Sequence, residues 1–314
     1  MESPTLTETI SAPILNGTDS FFPLMRGSRF VSKYASIPGK EPLTMYTKEQ
    51  LKTDLKQMGL APTDSIMIHS SCKSIGEVEG RADGILDALM EFFSEGLLML
   101  PTHTWAQMGT DHSVFDPETE PACVGILPNL FRKRPGVIRS LHPTHSIAAY
   151  GRGTVHGICA ADFVKGEENC TTPCMPGGCW DRLRTVHAKI ILIGVTHARN
   201  TFIHAVEEIL DVPERLTEQP VEFQIKMPDG SLKPIRMHRH YNRHTAHISE
   251  AFDKLMDAYF ETGAAVRTTF GDANCILCDA NRIFEVTKEV LSHEINCFID
   301  REEIPREWWQ GLSS

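Results

Sequence analysis

Short, uninterrupted apolar runs alternate with amphipathic segments along most of this chain. An uninterrupted run is typical of a strand buried on both faces of a parallel sheet. Three segments have this character: "DSIMIHSS" (64–71), "LLMLPTHTW" (97–105) and "KIILIGV" (189–195). Before the first run, Leu51, Leu55 and Met58 share one face of a predicted helix. A second predicted helix lies between the first two runs and ends at Gly96. The alternation predicts an α/β fold with a mixed, largely parallel central sheet flanked by helices.

The second half of the chain continues this pattern and adds a hairpin. Two alternating runs in "VEFQIKMPDGSLKPIRMHRHY" flank Asp229-Gly230, which predicts a C-terminal β-hairpin insertion. The remaining predicted elements are a helix in "VGILPNLFRKRPG", a strand in "SIAAYG", a helix near 248–260, an irregular strand in "NCILCDA" and a final helix at 281–297. Residues 1–41 lack a clear period, so we divide the chain into an N-terminal extension (1–41), one main domain (42–300) and a C-terminal tail (301–314).

Polar turns rich in Ser, Thr and His follow or precede the predicted strands. They are "HSSCKSIG" (69–76), "PTHTW" (101–105), "RSLHPTHS" (139–146) and "GVTHARNT" (194–201). Ligands of open α/β sheets bind outside the carboxyl ends of the strands, so we expect these turns to converge. The first turn offers hydroxyls, backbone N–H groups and Lys73 to a phosphate, although it is neither a Walker motif nor a G-x-G-x-x-G. A Ser-rich turn that caps the next helix explains the same residues equally well, and Cys72 is more typical of an inert thiol than of a nucleophile.

The segment "NTFIHAVEEI" (200–209) carries the candidate catalytic pair. Asn200 or Thr201 is a natural N-cap, which places His204 in the first helical turn. Glu207 lies three residues further on the same face and can orient or charge-balance the imidazole. Such a pair can act as a general base near neutral pH. A capped helix with a solvated His–Glu pair is the alternative, and the segment taken alone favours that alternative.

Composition and charge narrow the candidate partners. The chain has 314 residues and a formal net charge of −10. An acidic excess argues against a nucleic-acid partner and favours a cationic small molecule. We expect no membrane association and a cytoplasmic location, because the chain shows neither a long apolar run nor the pattern of a signal peptide. Nine scattered cysteines fit reduced thiols better than a disulfide framework.

Metal chemistry is the rival interpretation of the histidines and cysteines. Four histidines lie close together in "MHRHYNRHTAH", namely His238, His240, His244 and His247. The segments "CTTPCMPGGC" and "CILC" add thiols, of which Cys275 and Cys278 have strand spacing. None of these spacings is a closed zinc set and H-E-x-x-H is absent from the sequence, so we expect no metal.

Together the polar turns and the helices that follow them resemble the aminoglycoside 3-N-acetyltransferase family, whose fold is unrelated to that of the GNAT acetyltransferases. The resemblance covers roughly residues 45–295. The segments that carry it occur in family order: "IHSSCKSIGEVEGRADGILDALMEFF", "LLMLPTHTW", "FDPETEPACVGILPNLFRKRPGVIRSLHPTHSIAAYG", "ILIGVTHARNTFIHAVEE" and "GDANCILCDANRIFEV". The ordered elements H-S-S, R-S-x-H-P-x-x-S and N-T-x-x-H-x-x-E are its specific part.

The resemblance implies transfer of acetyl from acetyl-CoA to an amine of an aminoglycoside-like cationic substrate. It implies that His204 is the general base that deprotonates the attacking amine and that Glu207 is its partner. The residues that it implies for CoA binding are Ser70, Ser71, His142 and Ser146. On charge grounds we add two expected phosphate partners, Lys73 and Arg139. A homodimer is a further hypothesis.

Two departures from the family pattern bear on the acceptor. Thr172-Pro173 and a Cys/Gly-rich turn stand where the family usually has Ser-Pro and an apolar residue, and the N-terminal extension is longer than the family norm. Five acidic residues could bind a polycation or could equally be solvated surface acids, namely Glu118, Glu120, Glu207, Glu208 and Asp211. Of these we expect Glu118 and Glu120 on the surface. The rival functions are a metal-dependent amidohydrolase and a non-catalytic relative that binds CoA or a cation.

Overall fold

A computed structural model describes residues 45–245, 247–300 and 302–312 of the chain. The predicted extension over 1–41 lies outside the described residues. The strands, numbered in chain order, are β1 (Ser65–Ser70), β2 (Leu97–Pro101), β3 (Val114–Phe115), β4 (Ile138–Arg139), β5 (Ile147–Tyr150), β6 (Lys189–Ile193), β7 (Val221–Lys226), β8 (Leu232–Met237), β9 (Ala265–Phe270) and β10 (Ala273–Asp279). Seven of them form one sheet in the order β4–β5–β2–β1–β6–β10–β9, and β3–β7–β8 form a second sheet.

The helices lie between these strands. They are α1 (Lys48–Gln57), α2 (Arg81–Phe92), α3 (Ile126–Phe131), α4 (Ala160–Phe163), α5 (Cys179–Thr185), α6 (Phe202–Ile209), α7 (Met256–Glu261) and α8 (Ala280–His293). The sequence sets where the first one begins, because Thr47 and Gln50 form a capping box that satisfies free N–H groups of its first turn. No helix of the described residues is both long and apolar enough to cross a membrane.

The centre of the large sheet is parallel and its flanks are antiparallel. Strand β1 pairs in parallel with β2 and with β6, in the register Ile66↔Leu98 and Ile66↔Lys189. Strands β5 and β10 then pair antiparallel to β2 and β6. The uninterrupted apolar runs of β1, β2 and β6 suit this centre, since helices cover both of its faces. The predicted mixed α/β sheet flanked by helices is confirmed.

Alternate residues of the central strands enter two separate cores. Ile66 and Ile68 point to a core under α1, α2 and α3. Met67, between them, points to a larger core under α5, α6, α7 and α8. Because both faces are covered in this way, the polar residues at the strand ends are held at one edge of a rigid sheet.

Several predicted boundaries differ from those in the structure. The helix expected to end at Gly96 ends at Phe92. Gly96 is required for another reason, since a Cβ there would lie 2.1 Å from the carbonyl oxygen of Asp64. The segment near 248–260 begins as a 3-10 helix over Ile248–Leu255 before α7, and the last long helix ends at His293.

The predicted hairpin is present as β7 and β8, which pair antiparallel across the turn at Asp229-Gly230. It belongs to the small sheet, whose third member β3 pairs with β7 in parallel. Past residue 300, Ile304 and Trp309 are buried and join the larger core, so this part of the expected tail packs against the domain. The domain boundaries themselves stay predictions.

Candidate active site

The polar turns converge at one edge of the large sheet. The carboxyl ends of β1, β2 and β6 meet there because these strands are parallel. The Ser71 N–H donates to the carbonyl of Ile193 over 2.8 Å, which joins the turns after β1 and β6. The Thr102 N–H donates to the carbonyl of Ser146 over 2.8 Å, which joins the turn after β2 to the segment before β5. The expected convergence is confirmed.

Helix α6 begins at this edge and carries the His–Glu pair. His204 lies in the first turn, as predicted, and its N–H donates to the carbonyl of Thr201. The ring Nδ1 of His204 lies 2.9 Å from Oε2 of Glu207. Arg215 donates from Nε to Oε1 of Glu207 over 2.6 Å. Glu207 is only 1% exposed, so the alternative of a solvated surface pair is wrong.

These contacts fix both the charge of Glu207 and the tautomer of His204. Burial acts to raise the pKa of the Glu207 carboxyl, but the hydrogen bonds and charges of His204 and Arg215 outweigh it and the pKa is lowered. An ionised carboxylate only accepts hydrogen bonds, so Nδ1 of His204 carries the proton. In the neutral ring the lone pair is then on Nε2, and no described residue donates to that atom. Nε2 of His204 is therefore the ring nitrogen that can accept a hydrogen bond from a ligand.

A row of aromatic rings, half-buried at His204 and His240 and buried beyond them, continues across the ends of the strands. The His240 ring centroid lies 4.3 Å from that of His204, and His145 lies 4.9 Å beyond His240. The row ends at His103, 4.7 Å from His145, and at Trp180. Burial, and then the neighbouring histidines, hold the pKa of His103 and His145 well below the usual value. These rings are neutral near pH 7 and make the floor of the site weakly polar.

A second His–Glu pair lies beside the first. Ring nitrogen Nε2 of His240 is 2.8 Å from Oε1 of Glu208, which also accepts from the Cys174 N–H over 2.9 Å. The other oxygen of Glu208 is buried without a hydrogen-bond partner among the described residues. Glu208 faces a cavity of about 150 Å³ whose other lining residues are Thr172, Pro176, Asp211, Val212, Arg215 and Leu216.

The predicted phosphate turn directly follows β1. Ser70 is the last residue of that strand and Ser71 comes next, and both are half-buried. Lys73 is exposed and lies on a 3-10 turn over Cys72–Ile75. The backbone of Gly194 packs closely against this turn. Residue 194 must be glycine because its φ is +62° and a Cβ there would lie 2.3 Å from the side chain of Ser74. Partial burial raises the pKa of the Cys72 thiol, which agrees with the inert interpretation of that residue.

Arg139 and Ser146 are engaged inside the protein, which disagrees with their expected contact to CoA. The guanidinium of Arg139 donates to the carbonyls of Pro117, Glu120 and Thr102 and to the hydroxyl of Ser146. Ser146 is fully buried and donates in turn to the Thr102 carbonyl. Polar residues next to a strand end look alike in sequence, whether they contact a ligand or, as here, hold a loop.

His142 has the same structural character. Its Nδ1 accepts from the N–H groups of Thr144 and His145, over 3.2 and 2.9 Å. Its Nε2 must then be the protonated nitrogen, and it lies 3.1 Å from the carbonyl of Thr172. With both nitrogens satisfied and 1% exposure, His142 connects two loops and has no free donor for CoA. Glu120, expected on the surface, is also buried, where it contacts Gln107 and His112.

The four clustered histidines do not form a joint site. His238 is hydrogen-bonded to the Thr217 carbonyl and His244 is paired with the exposed Glu214. Of the four, His240 reaches the His204–Glu207 pair. The other residue that sequence reasoning missed is Arg215, which contacts Glu207 from beyond the end of α6. An Arg in a turn after Pro213 carries no periodic signal.

The fold and the site define an α/β protein with a carboxylate–imidazole pair at the ends of its parallel strands. The family model described as aminoglycoside 3-N-acetyltransferase matches residues 67–292. The match spans well over half of the sequence. The chain therefore belongs to the aminoglycoside 3-N-acetyltransferase family, as the sequence motifs indicated.

Individual relatives agree with this assignment. Aminoglycoside N(3)-acetyltransferase VII of Streptomyces paromomycinus is 27% identical over 268 residues, which cover 76% of this chain and 89% of that protein. Among solved structures, AAC-IIIb in a binary complex with CoASH has a TM-score of 0.67 at 22% identity and matches 77% of this chain and 95% of that one. A mutant of aminoglycoside acetyltransferase AAC(3)-IVa in complex with apramycin has a TM-score of 0.66 at 23% identity. That match covers 82% of this chain and 96% of the other chain.

Proposed function

We propose that this protein transfers the acetyl group of acetyl-CoA to an amine of an aminoglycoside-like cationic substrate, with His204 as general base. The observation that carries the proposal is the geometry of His204, whose Nδ1 is held by the buried, ionised Glu207 while Nε2 is left for a ligand. Family membership supports the acyl transfer. The AAC-IIIb complex with CoASH supports the choice of donor.

The reaction follows from the residue types. A protonated amine cannot attack a thioester, so Nε2 of His204 first removes one ammonium proton, and the freed lone pair then forms the C–N bond. The C–S bond then breaks, and the CoA thiolate leaves and takes up the second proton that the amine nitrogen gives up as the amide forms. Glu207 stabilises the imidazolium formed in between, and Arg215 keeps that carboxylate in place. Because the thioester is already activated, alignment of amine and carbonyl supplies a large part of the acceleration.

The two substrates require different surfaces. For CoA we retain Ser70, Ser71 and Lys73, which are accessible at the turn after β1, as the residues that contact its phosphates. For the acceptor, Asp211, which lines the cavity beside α6, can attract an ammonium group. The net charge of −10 also favours the approach of a cationic acceptor.

The test compares wild type with His204→Ala in the presence of acetyl-CoA and a panel of aminoglycosides. We expect acetylated product from wild type and a loss of roughly a hundredfold or more in kcat for the variant, the range of general-base catalysis. Free CoA and acetylated product are both quantified by mass spectrometry, because an accessible thiol such as that of Cys123 would react with a thiol reagent.

His293→Ala is the matched control, since His293 is an exposed histidine near the end of α8 that pairs with Glu289. It should retain wild-type turnover. A folded His204→Ala protein with near-normal kcat would exclude His204 as the base. Wild type that binds acetyl-CoA and acetylates none of the panel would leave the donor in place and exclude these acceptors.

A further inference from the structure

Three side chains with metal-binding atoms meet beside the catalytic pair. They come from the loop before α5, from α6 and from the segment after β8, and they are Cys174, Glu208 and His240. The thiol sulfur, a carboxylate oxygen and a ring nitrogen all lie within 4.8 Å of one another. We propose that Cys174, Glu208 and His240 bind a zinc ion, a function separate from acetyl transfer.

The state of Glu208 points to a missing positive charge. One carboxylate oxygen already accepts from His240 and from the Cys174 N–H. The second oxygen is buried and has no hydrogen-bond partner in the described part of the chain. A buried carboxylate oxygen without a partner is costly, and a cation is the ligand that relieves this cost.

The donor set suits zinc in type and in charge. Cysteine thiolate, imidazole and carboxylate are its usual protein ligands, and soft sulfur disfavours magnesium or calcium. As the Zn–S bond forms, the Cys174 thiol proton passes to solvent, and coordination through Nε2 of His240 moves that ring proton to Nδ1. A divalent ion with one thiolate and one carboxylate is electrically neutral, which a buried site needs.

The fold selects these three residues from a larger number of candidates. Cys170 is directed at Met237 and Cys179 donates to the carbonyl of Phe163, so neither thiol shares the site. Three protein ligands leave one tetrahedral position open, as in zinc sites that bind an exchangeable water. Glu208 lines the cavity described above, which gives that position room.

The hypothesis is tested on the full chain after metal removal. We expect one equivalent of zinc per chain in competition with a chromophoric chelator. With Co²⁺ in its place we expect a thiolate-to-cobalt charge-transfer band, which only a cysteine ligand produces. Cys174→Ser should abolish the band and weaken zinc binding by about a hundredfold or more, since loss of even a supporting residue costs about 10–100-fold.

Cys123→Ser is the matched control, because Cys123 is an exposed thiol outside the site, and it should keep both signals. If Cys174→Ser does not fold, Glu208→Gln keeps the shape of the side chain and should lower zinc affinity by a similar factor. Wild type that shows no cobalt band would overturn the proposal. So would folded Cys174→Ser and Glu208→Gln proteins that bind zinc as tightly as wild type.

Discussion

Replacement of Arg215 by methionine tests whether the Glu207 carboxylate is held by a buried ion pair. In wild type the Arg215 side chain is 3% exposed and donates to Glu207, which is 1% exposed. Arg215→Met keeps a side chain of similar length and leaves Glu207 buried without that partner. The charge on Glu207 then rests on its one remaining contact, the ring of His204.

The size of the effect follows from this arrangement. Removing one member of a buried ion pair costs about 3–5 kcal/mol of the free energy of unfolding. Because His204 still compensates part of the charge, we expect a loss at the lower end, about 3 kcal/mol. The double variant Arg215→Met/Glu207→Gln has no buried charge to compensate, so it should recover at least half of that loss.

The assay is urea unfolding of the three proteins, with equal m-values as the condition for comparing them. Arg134→Met is the matched control, since Arg134 pairs with the exposed Asp83 and Asp87 near the surface. Each of these two surface pairs should be worth about 0–1 kcal/mol. The reasoning is refuted if Arg215→Met is no more destabilising than Arg134→Met, or if the double variant is no more stable than the single one.

Two further predictions concern the predicted phosphate turn after β1 and the large sheet. Lys73→Ala should raise KM for acetyl-CoA about 2–5-fold with kcat unchanged, as expected for one exposed charge pair with a phosphate. Steady-state kinetics measure this, and a short acetyl thioester without phosphates should show no such change in KM if the reasoning is right. Gly96→Ala should cost about 1–3 kcal/mol in urea unfolding, because its Cβ would lie 2.1 Å from the Asp64 carbonyl oxygen. Gly311→Ala, where a Cβ has open space, should cost far less, and equal losses would contradict the steric argument.

Local pattern was enough to predict the centre of the fold. The apolar runs of β1, β2 and β6 have one stable arrangement, a sheet with both faces covered. The edge strand β9 was missed because "AVRTTF" has exposed residues such as Val266 and lacks a run of that kind. Short helices such as α5 were missed because they depend on tertiary contacts, here the burial of Trp180.

The same distinction applies to the site. His204 and Glu207 were predictable because a spacing of three residues brings them together on any helix. Arg215 and His240 reach the pair only through the path of the chain after α6 and after β8, which spacing does not encode. Arg139 and His142 show the converse error. Their residue types suit a ligand, but the backbone carbonyls that occupy them come from distant segments.

The pairing of β1 also affects how the chain folds during its synthesis. On one side β1 pairs with β2, and one long helix, α2, lies between the two strands in the sequence. This pairing can therefore form as soon as a short further stretch of the chain has been synthesised. On the other side Ile66 pairs with Lys189, and closing so long a loop is slow. Until β6 has been synthesised, β1 presents an open apolar edge of the kind that recruits strands from other chains. Nascent or truncated chains that end before residue 193 therefore carry the aggregation hazard that the finished sheet conceals.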